Sequence, residues 1–293
     1  MRVAVLLLSG LAMAVSACGG GAAPAEVVDR TADGSTPAVT DRTGSADPTA
    51  PSGSPWPATL DGTHQDWSVH VVDRLPHDTD AFTQGLEMTE IGLLESTGLR
   101  GRSALRLLDL ESGAEMTRTE LDPDLFGEGL TVWEGEVIQL TWQAGRALRY
   151  EATSLAPIGE YAYDGEGWGI CATASEIWMS DGTPVLTRRD PTTFAPLDIV
   201  EVRRDGVLVD DLNELECIDD HVVANVWKSD EIVVIDPVTG SVVATIDATG
   251  LAAEIDSADA EAVLNGIADL GDGTLLLGGK RWPTLFVVEV VAG

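Results

Sequence analysis

The sequence predicts an all-β domain, a five-bladed β-propeller whose ring is closed by an N-terminal strand. Three observations predict it. A strand-and-turn unit recurs along residues 65–293, with anchors Phe82, Phe126, Trp168, Asn213 and Asn265 spaced 44, 42, 45 and 52 residues apart. The apolar runs inside each unit are short and end in Gly, Asp, Asn or Pro, as strands joined by tight turns do. Four such runs per unit of about 45 residues match radially repeated antiparallel sheets and exclude an α-solenoid. An eight- to ten-stranded sandwich would not produce a repeat of this length.

The first strand of each unit is Phe82–Leu86, Phe126–Leu130, Gly165–Ile170, Leu212–Glu216 and Leu264–Ala268. A second apolar strand follows and ends in a polar or aromatic tip: Leu93–Gly98, Val137–Trp142, Ile177–Gly182, Val222–Trp227 and Leu275–Lys280. The third and fourth strands surround turns such as those in Leu105–Gly113, Val185–Thr193 and Ile232–Gly240. The fifth unit has Leu285–Val291 and little beyond it. The unmatched segment Trp67–Leu75 is therefore expected to supply its outer edge, leaving no open sheet edge there.

Before the domain, Met1-Arg2 precedes an apolar run, Val3–Val15, and then Ser16-Ala17-Cys18. One positive charge, a short apolar core and small residues describe an export signal. The run is too short to span a bilayer as a helix. Val15-Ser16-Ala17-Cys18 resembles a bacterial lipobox, which implies cleavage after residue 17 and a lipidated Cys18 in the cell envelope. Residues 18–64 are rich in Gly, Ala, Ser, Thr, Pro and Asp and read as a flexible tether. The expected organisation is thus 1–17 signal, 18–64 lipid-anchored linker and 65–293 propeller.

The chain carries 49 acidic against 17 basic residues, a formal charge of −32. That excludes a general nucleic-acid binder and membrane attachment by a basic patch, leaving membrane contact to the lipid anchor alone. It favours cationic ligands such as peptide amines, and it equally serves solubility.

In a propeller the first strands line the central channel, and the tips of the first two strands meet at one end. The residues gathered there are Gln84, Glu128, Trp142, Trp168, Asp181, Asn213, Glu216, Trp227, Asn265 and Lys280. Singly, each has an ordinary explanation: a Trp at a strand end packs a rim, and an Asn near a turn bonds the backbone. Together they exceed what sheet packing needs. Glu128 stands out because Gly127 and Gly129 flank it and permit close approach of backbone or ligand.

At these residues the chain resembles the plant and bacterial glutamine cyclotransferase family. The resemblance is carried by His77–Leu86, Glu95–Gly98, Phe126–Leu130, Gln139–Trp142, Glu166–Gly169, Ser180–Thr183, Leu212–Glu216, Ala224–Trp227, Val263–Ala268 and Lys280–Pro283, and spans residues 68–290. It departs at Gly278-Gly-Lys280, where the family more often has Thr-Gly-Lys, and in a slight displacement of Leu285–Val290. The resemblance implies a five-bladed propeller that turns N-terminal glutamine of peptides and proteins into pyroglutamate, with release of ammonia. It implies Glu128 as the catalytic proton shuttle. Phe126, Trp142, Trp168 and Trp227 become substrate-binding walls, with Gln84, Asn213 and Lys280 on the amide or the intermediate.

The implied reaction requires no metal or other cofactor, and the four His show no zinc-binding spacing. The Asp-rich turns leave room for a structural calcium. Cys171 and Cys217 follow equivalent first strands: export favours a disulfide between them, while separation on neighbouring blades opposes it. A monomer is expected. Two other readings carry different signatures. A noncatalytic propeller lipoprotein that scaffolds envelope proteins would lack the polar mouth residues, and a calcium-dependent lactonase or esterase would need a central carboxylate cage.

Overall fold

The computed structural model describes residues 53–293. The signal segment, Cys18 and most of the expected tether lie outside the described residues. The part described is all-β apart from one short helix.

Three separate four-stranded antiparallel sheets come first in the chain. One holds β1's successors Thr83–Thr89 (β2), Gly92–Thr97 (β3), Ala104–Leu108 (β4) and Glu115–Glu120 (β5), where β1 is Gln65–Pro76. The next holds Gly127–Trp133 (β6), Glu136–Thr141 (β7), Arg146–Glu151 (β8) and Pro157–Ala162 (β9). The third holds Ile170–Ala172 (β10), Ile177–Ser180 (β11), Val185–Arg189 (β12) and Pro196–Glu201 (β13). A small hairpin, Arg203–Arg204 (β14) and Val207–Leu208 (β15), leads on to the remaining strands.

Those are Leu212–Ile218 (β16), His221–Val226 (β17), Glu231–Asp236 (β18), Ser241–Asp247 (β19), Leu264–Asp269 (β20), Leu275–Gly279 (β21) and Thr284–Ala292 (β22). β16 to β19 form one antiparallel meander, and β20 to β22 form another that β1 completes. β1 runs antiparallel to β22 from Trp67↔Ala292 to Pro76↔Thr284, so the expected closing strand is in place. Its first residues, Gln65–Ser68, also pair in parallel with β19. That pairing, absent from the repeat pattern, fuses the last two meanders into one ten-stranded sheet.

Burial follows position within each sheet. The third strand of the fourth meander, Glu-Ile-Val-Val-Ile-Asp, buries all four central residues, because both its faces are covered. The outermost strand β5, Glu-Met-Thr-Arg-Thr-Glu, buries none. Apolar side chains from neighbouring sheets interleave, as with Leu86, Leu93 and Leu108 against Leu276 and Leu285. The first strands touch one another in cyclic order, β2 to β6 to β10 to β16 to β20 and back to β2.

Two differences from the sequence reading concern connections. The tether was expected to run to residue 64, yet Trp56 is buried, stacks on Trp67 at 5.5 Å and joins the core with Leu60 packed beside it. The packed domain therefore begins before residue 65. Thr249–Ile255 forms a helix (α1) whose Leu251 is buried in the same core. The segment holding α1 accounts for the long last spacing of the repeat.

Cys171 and Cys217 form a disulfide, with Cα atoms 5.3 Å apart. They lie on β10 and β16, first strands of adjacent sheets, which approach closely enough for the bond. It closes a sequence separation of 46 residues. Replacing both by Ser is expected to cost about 2–4 kcal/mol and to lower Tm by about 5–12 °C, read by thermal denaturation without reductant. An unchanged Tm would mean the bond does not constrain the ring.

Candidate active site

The site is built by a repeated irregularity. In four first strands the second residue sits in a β-bulge: the register slips between Thr83 and Gly85, Gly127 and Leu130, Leu212 and Leu215, and Leu264 and Ile267. The slips take in Gln84, Glu128–Gly129, Asn213–Glu214 and Asn265–Gly266. A bulge frees its residues from strict alternation and re-aims their side chains. The residue just past each second strand then folds back over the bulge. The amides of Gly98, Trp142, Trp227 and Lys280 donate to the carbonyls of Phe82, Phe126, Asp211 and Val263 at 2.8–3.0 Å.

Close approach of the first strands relies on glycine. A Cβ on Gly129 would lie 2.8 Å from the Trp168 carbonyl oxygen, to which the Gly129 amide donates at 2.8 Å. A Cβ on Gly169 would lie 2.0 Å from the Asn213 carbonyl oxygen. Glu128 is held through its backbone: Ser96 Oγ donates to its carbonyl, Gln139 Nε2 donates to Ser96 Oγ at 2.7 Å, and Tyr150 donates to Gln139 Oε1 at 3.0 Å.

One cavity of about 410 Å³ lies at this end of the ring. It gathers all eight site residues expected from the sequence: Gln84, Phe126, Glu128, Trp142, Trp168, Asn213, Trp227 and Lys280. Phe82, seen in the sequence only as a repeat anchor, and Glu261, not seen at all, also line it. Glu261 pairs with Lys228 at 3.2 Å.

The aromatic wall is continuous. Phe82, Phe126 and Trp142 meet edge to face at 6.0 and 5.7 Å, and Trp168 meets Trp227 at 5.6 Å. Glu166 joins the two halves by accepting from Trp142 Nε1 at 2.7 Å and Trp168 Nε1 at 3.1 Å. Its motif was visible in the sequence, but its grip on two indoles was not. Partial burial pushes the Glu166 carboxyl up, yet hydrogen bonds from Gln143, Trp168 and Trp142 bring it below its usual range. It is a carboxylate, fit to hold indole N–H groups.

Glu128 is shifted the other way. Only 4% of it is exposed, and burial raises its pKa well above the usual carboxyl range, with Lys280 and Gln84 pulling down and Glu166 pushing up. Burial also lowers the Lys280 pKa, against the attraction of Glu128. Lys280 Nζ lies 5.0 Å from the Phe82 ring centroid. The pocket thus places a buried carboxyl and a buried lysine donor inside apolar walls.

Three residues expected at the mouth do not line this cavity. Asp181 caps its own turn, accepting from the Thr183 amide and hydroxyl at 3.1 and 2.6 Å. Glu216 lies farther along β16, where burial and the charges of Glu87 and Glu214 raise its pKa well above normal. Asn265 is fully buried beside Gln84. Among the described residues no cluster of three or more His, Cys, Asp or Glu is placed to hold a metal ion.

Bulged polar residues and an indole cup meet at one end of an all-β domain. The chain belongs to the glutamine cyclotransferase family, whose model matches residues 48–290. It is 37% identical over 238 residues to a glutaminyl-peptide cyclotransferase of Arabidopsis thaliana, covering 80% of this chain and 74% of that one. It is likewise 37% identical to the glutaminyl cyclase of Myxococcus xanthus. That crystal structure matches with a TM-score of 0.74, over 78% of this chain and 99% of the other.

Proposed function

We propose that this chain is a five-bladed β-propeller enzyme that converts the N-terminal glutamine of peptides and proteins to pyroglutamate and releases ammonia. The single observation that carries the chemistry is Glu128: a carboxyl buried inside an aromatic cup that Lys280 also lines. The cyclic contact of the five first strands supports the propeller reading.

The reaction needs no outside nucleophile. The neutral α-amine of the substrate forms a bond from nitrogen to its own γ-carbonyl carbon, and the carbonyl electron pair moves onto oxygen. Ionised Glu128 takes a proton from the new ring nitrogen and delivers it to the amide nitrogen. The old C–N bond then breaks and ammonia leaves. One C–N bond forms and one breaks, a single proton moves from amine to leaving group, and no water is consumed. Burial raises the Glu128 pKa above the ordinary carboxyl range, which makes its carboxylate a stronger base toward the substrate nitrogen.

Phe126, Trp142, Trp168 and Trp227 fold the flexible glutamine into reacting position and exclude water. Lys280, Gln84 and Asn213 supply donors to the amide and to the oxyanion that develops from it. None of these steps calls on a cofactor.

The segment before the domain completes the reading: a signal through residue 17, lipidation at Cys18 and an exported, envelope-anchored enzyme. The Cys171–Cys217 disulfide suits an oxidising compartment. The test is an ammonia assay. A Gln-Ala-Ala peptide is expected to release ammonia and become blocked to N-terminal sequencing, while its N-acetylated form releases none. Ammonia from the acetylated peptide would indicate simple amide hydrolysis and overturn the proposal.

A further inference from the structure

We propose that Asn265 is a positioning residue for this reaction: it turns the Gln84 side-chain amide so that Nε2, not Oε1, faces Glu128. The inference rests on the reading of the cup as a cyclotransferase site. The two ends of a glutamine amide have nearly the same shape, so only hydrogen-bond partners set which end points where. A peptide carbonyl settles it here. Asn265 faces the Thr83 carbonyl oxygen at 3.0 Å, and a carbonyl only accepts, so the atom facing it is the donor Nδ2. The same nitrogen lies 3.2 Å from the Gln84 amide, and a donor there requires Gln84 Oε1. The Gln84 Nε2 group is left for the cup.

Asn265 is fully buried and is not among the cavity-lining residues. It acts on the reaction only through Gln84. The use of its own amide is lopsided: the donor end is used twice, while Oδ1 has no hydrogen-bond partner. A buried unpaired acceptor destabilises the fold, which an apolar side chain of similar size would avoid. Donor clamping explains that cost, and packing alone does not. Gln84 and Asn265 occupy corresponding bulges on the neighbouring first strands β2 and β20, which is how one reaches the other.

The consequence falls on Glu128. An N–H directed at its carboxyl favours the ionised form that accepts the amine proton. A reversed Gln84 would present an acceptor and favour the protonated form. The other groups facing Glu128 are Lys280 past β21, Glu166 before β10 and Tyr163 past β9. None of these contacts Asn265 by hydrogen bond among the described residues.

The test is a double-mutant cycle with pH profiles on Gln-Ala-Ala. Asn265→Leu is expected to lower kcat/KM at neutral pH by about 10- to 100-fold. It is also expected to move the acid limb of kcat/KM to higher pH. Gln84→Leu/Asn265→Leu is expected to match Gln84→Leu alone. If Asn265→Leu does not fold, as read by circular dichroism and Tm, Asn265→Asp replaces it. A neutral Asp offers one donor and an ionised Asp none, so the same upward shift is expected, again absent in the Gln84→Leu background. An unmoved limb, or an equal loss in the Gln84→Leu background, would overturn the role of Asn265. Failure of the wild-type protein to turn over the peptide would instead overturn the enzyme reading.

Discussion

Glu128→Gln is expected to lower kcat on Gln-initiated peptides by about 100- to 10,000-fold while leaving KM within a few-fold. The substitution keeps the shape and removes only the ability to carry a proton between nitrogens. Without that transfer the leaving group departs as amide ion, and the intermediate returns to substrate. Stability is expected to hold, with Tm within about 3 °C of wild type, because a buried carboxyl that favours its neutral form is replaced by a neutral amide. The pH profile should agree. As pH falls through the raised pKa of Glu128, the group becomes protonated and cannot accept the amine proton. The acid limb of kcat/KM is therefore expected above the ordinary glutamate value of about 4.3. Steady-state kinetics with scanning calorimetry on both proteins checks this. A variant that turns over normally would remove Glu128 from the chemistry.

The largest stability effect is expected at Glu95, outside the cup. Its carboxyl, fully buried, accepts from His77 Nε2 at 3.1 Å, Thr83 Oγ1 at 2.7 Å, Arg106 Nε at 3.0 Å and Arg106 Nη2 at 2.6 Å. Arg106 also reaches Asp78 at 2.9 Å, and the His77 ring bonds the Trp282 carbonyl at 2.8 Å. The network ties the loop after β1 and the start of β2 to β3, β4 and the turn before β22. Burial alone would raise the Glu95 pKa, but His77 and Arg106 overcome it and hold the group at about 2. Breaking such a pair leaves charge buried without its partner. Glu95→Gln is expected to cost about 3 kcal/mol or more, or roughly 6–12 °C in Tm.

The sign of the pH dependence follows. A depressed carboxyl contributes stability above its unfolded pKa, and that contribution is lost as pH falls from about 4.5 toward 2. His77, whose pKa is raised by Glu95 despite the opposing effect of burial, contributes below its usual value and loses that contribution as pH rises above it. Chemical denaturation across pH should show a steeper acid-side loss in wild type than in Glu95→Gln. Equal acid-side slopes in the two proteins would contradict the assignment.

Much of this was legible in the chain because it depends on local pattern. Strand runs, turn residues and a period near 45 residues located the five meanders and the closing strand Trp67–Leu75. Tips of first and second strands meet in a ring of such units, and seven of the ten tip residues read from that pattern line one cavity, with Phe126 added by the family resemblance. What escaped notice depends on pairing rather than composition. A bulge is a mismatch between two strands, so nothing in Gly127-Glu-Gly129 announces that Glu128 lies at a break in the alternation and lines the cavity while Glu216 does not. The grip of Glu166 on Trp142 and Trp168, and of Asn265 on Gln84, joins residues from different elements at distances only coordinates supply. The same holds for Cys171 and Cys217, where close packing of first strands settled a pairing the sequence left open. Trp56 lies in a stretch whose Gly, Pro and Ser content reads as tether, and one aromatic anchor outweighs that content.

The most direct measurement follows the oxygen atoms. Turnover of Gln-Ala-Ala in water enriched with heavy oxygen separates attack by the substrate's own amine from attack by solvent. The expected product is a pyroglutamyl peptide carrying no solvent oxygen, with ammonia released in equal amount and the reaction suppressed in Glu128→Gln. An N-terminal glutamate peptide labelled with solvent oxygen would show that water is the nucleophile and would contradict ring closure in the aromatic cup.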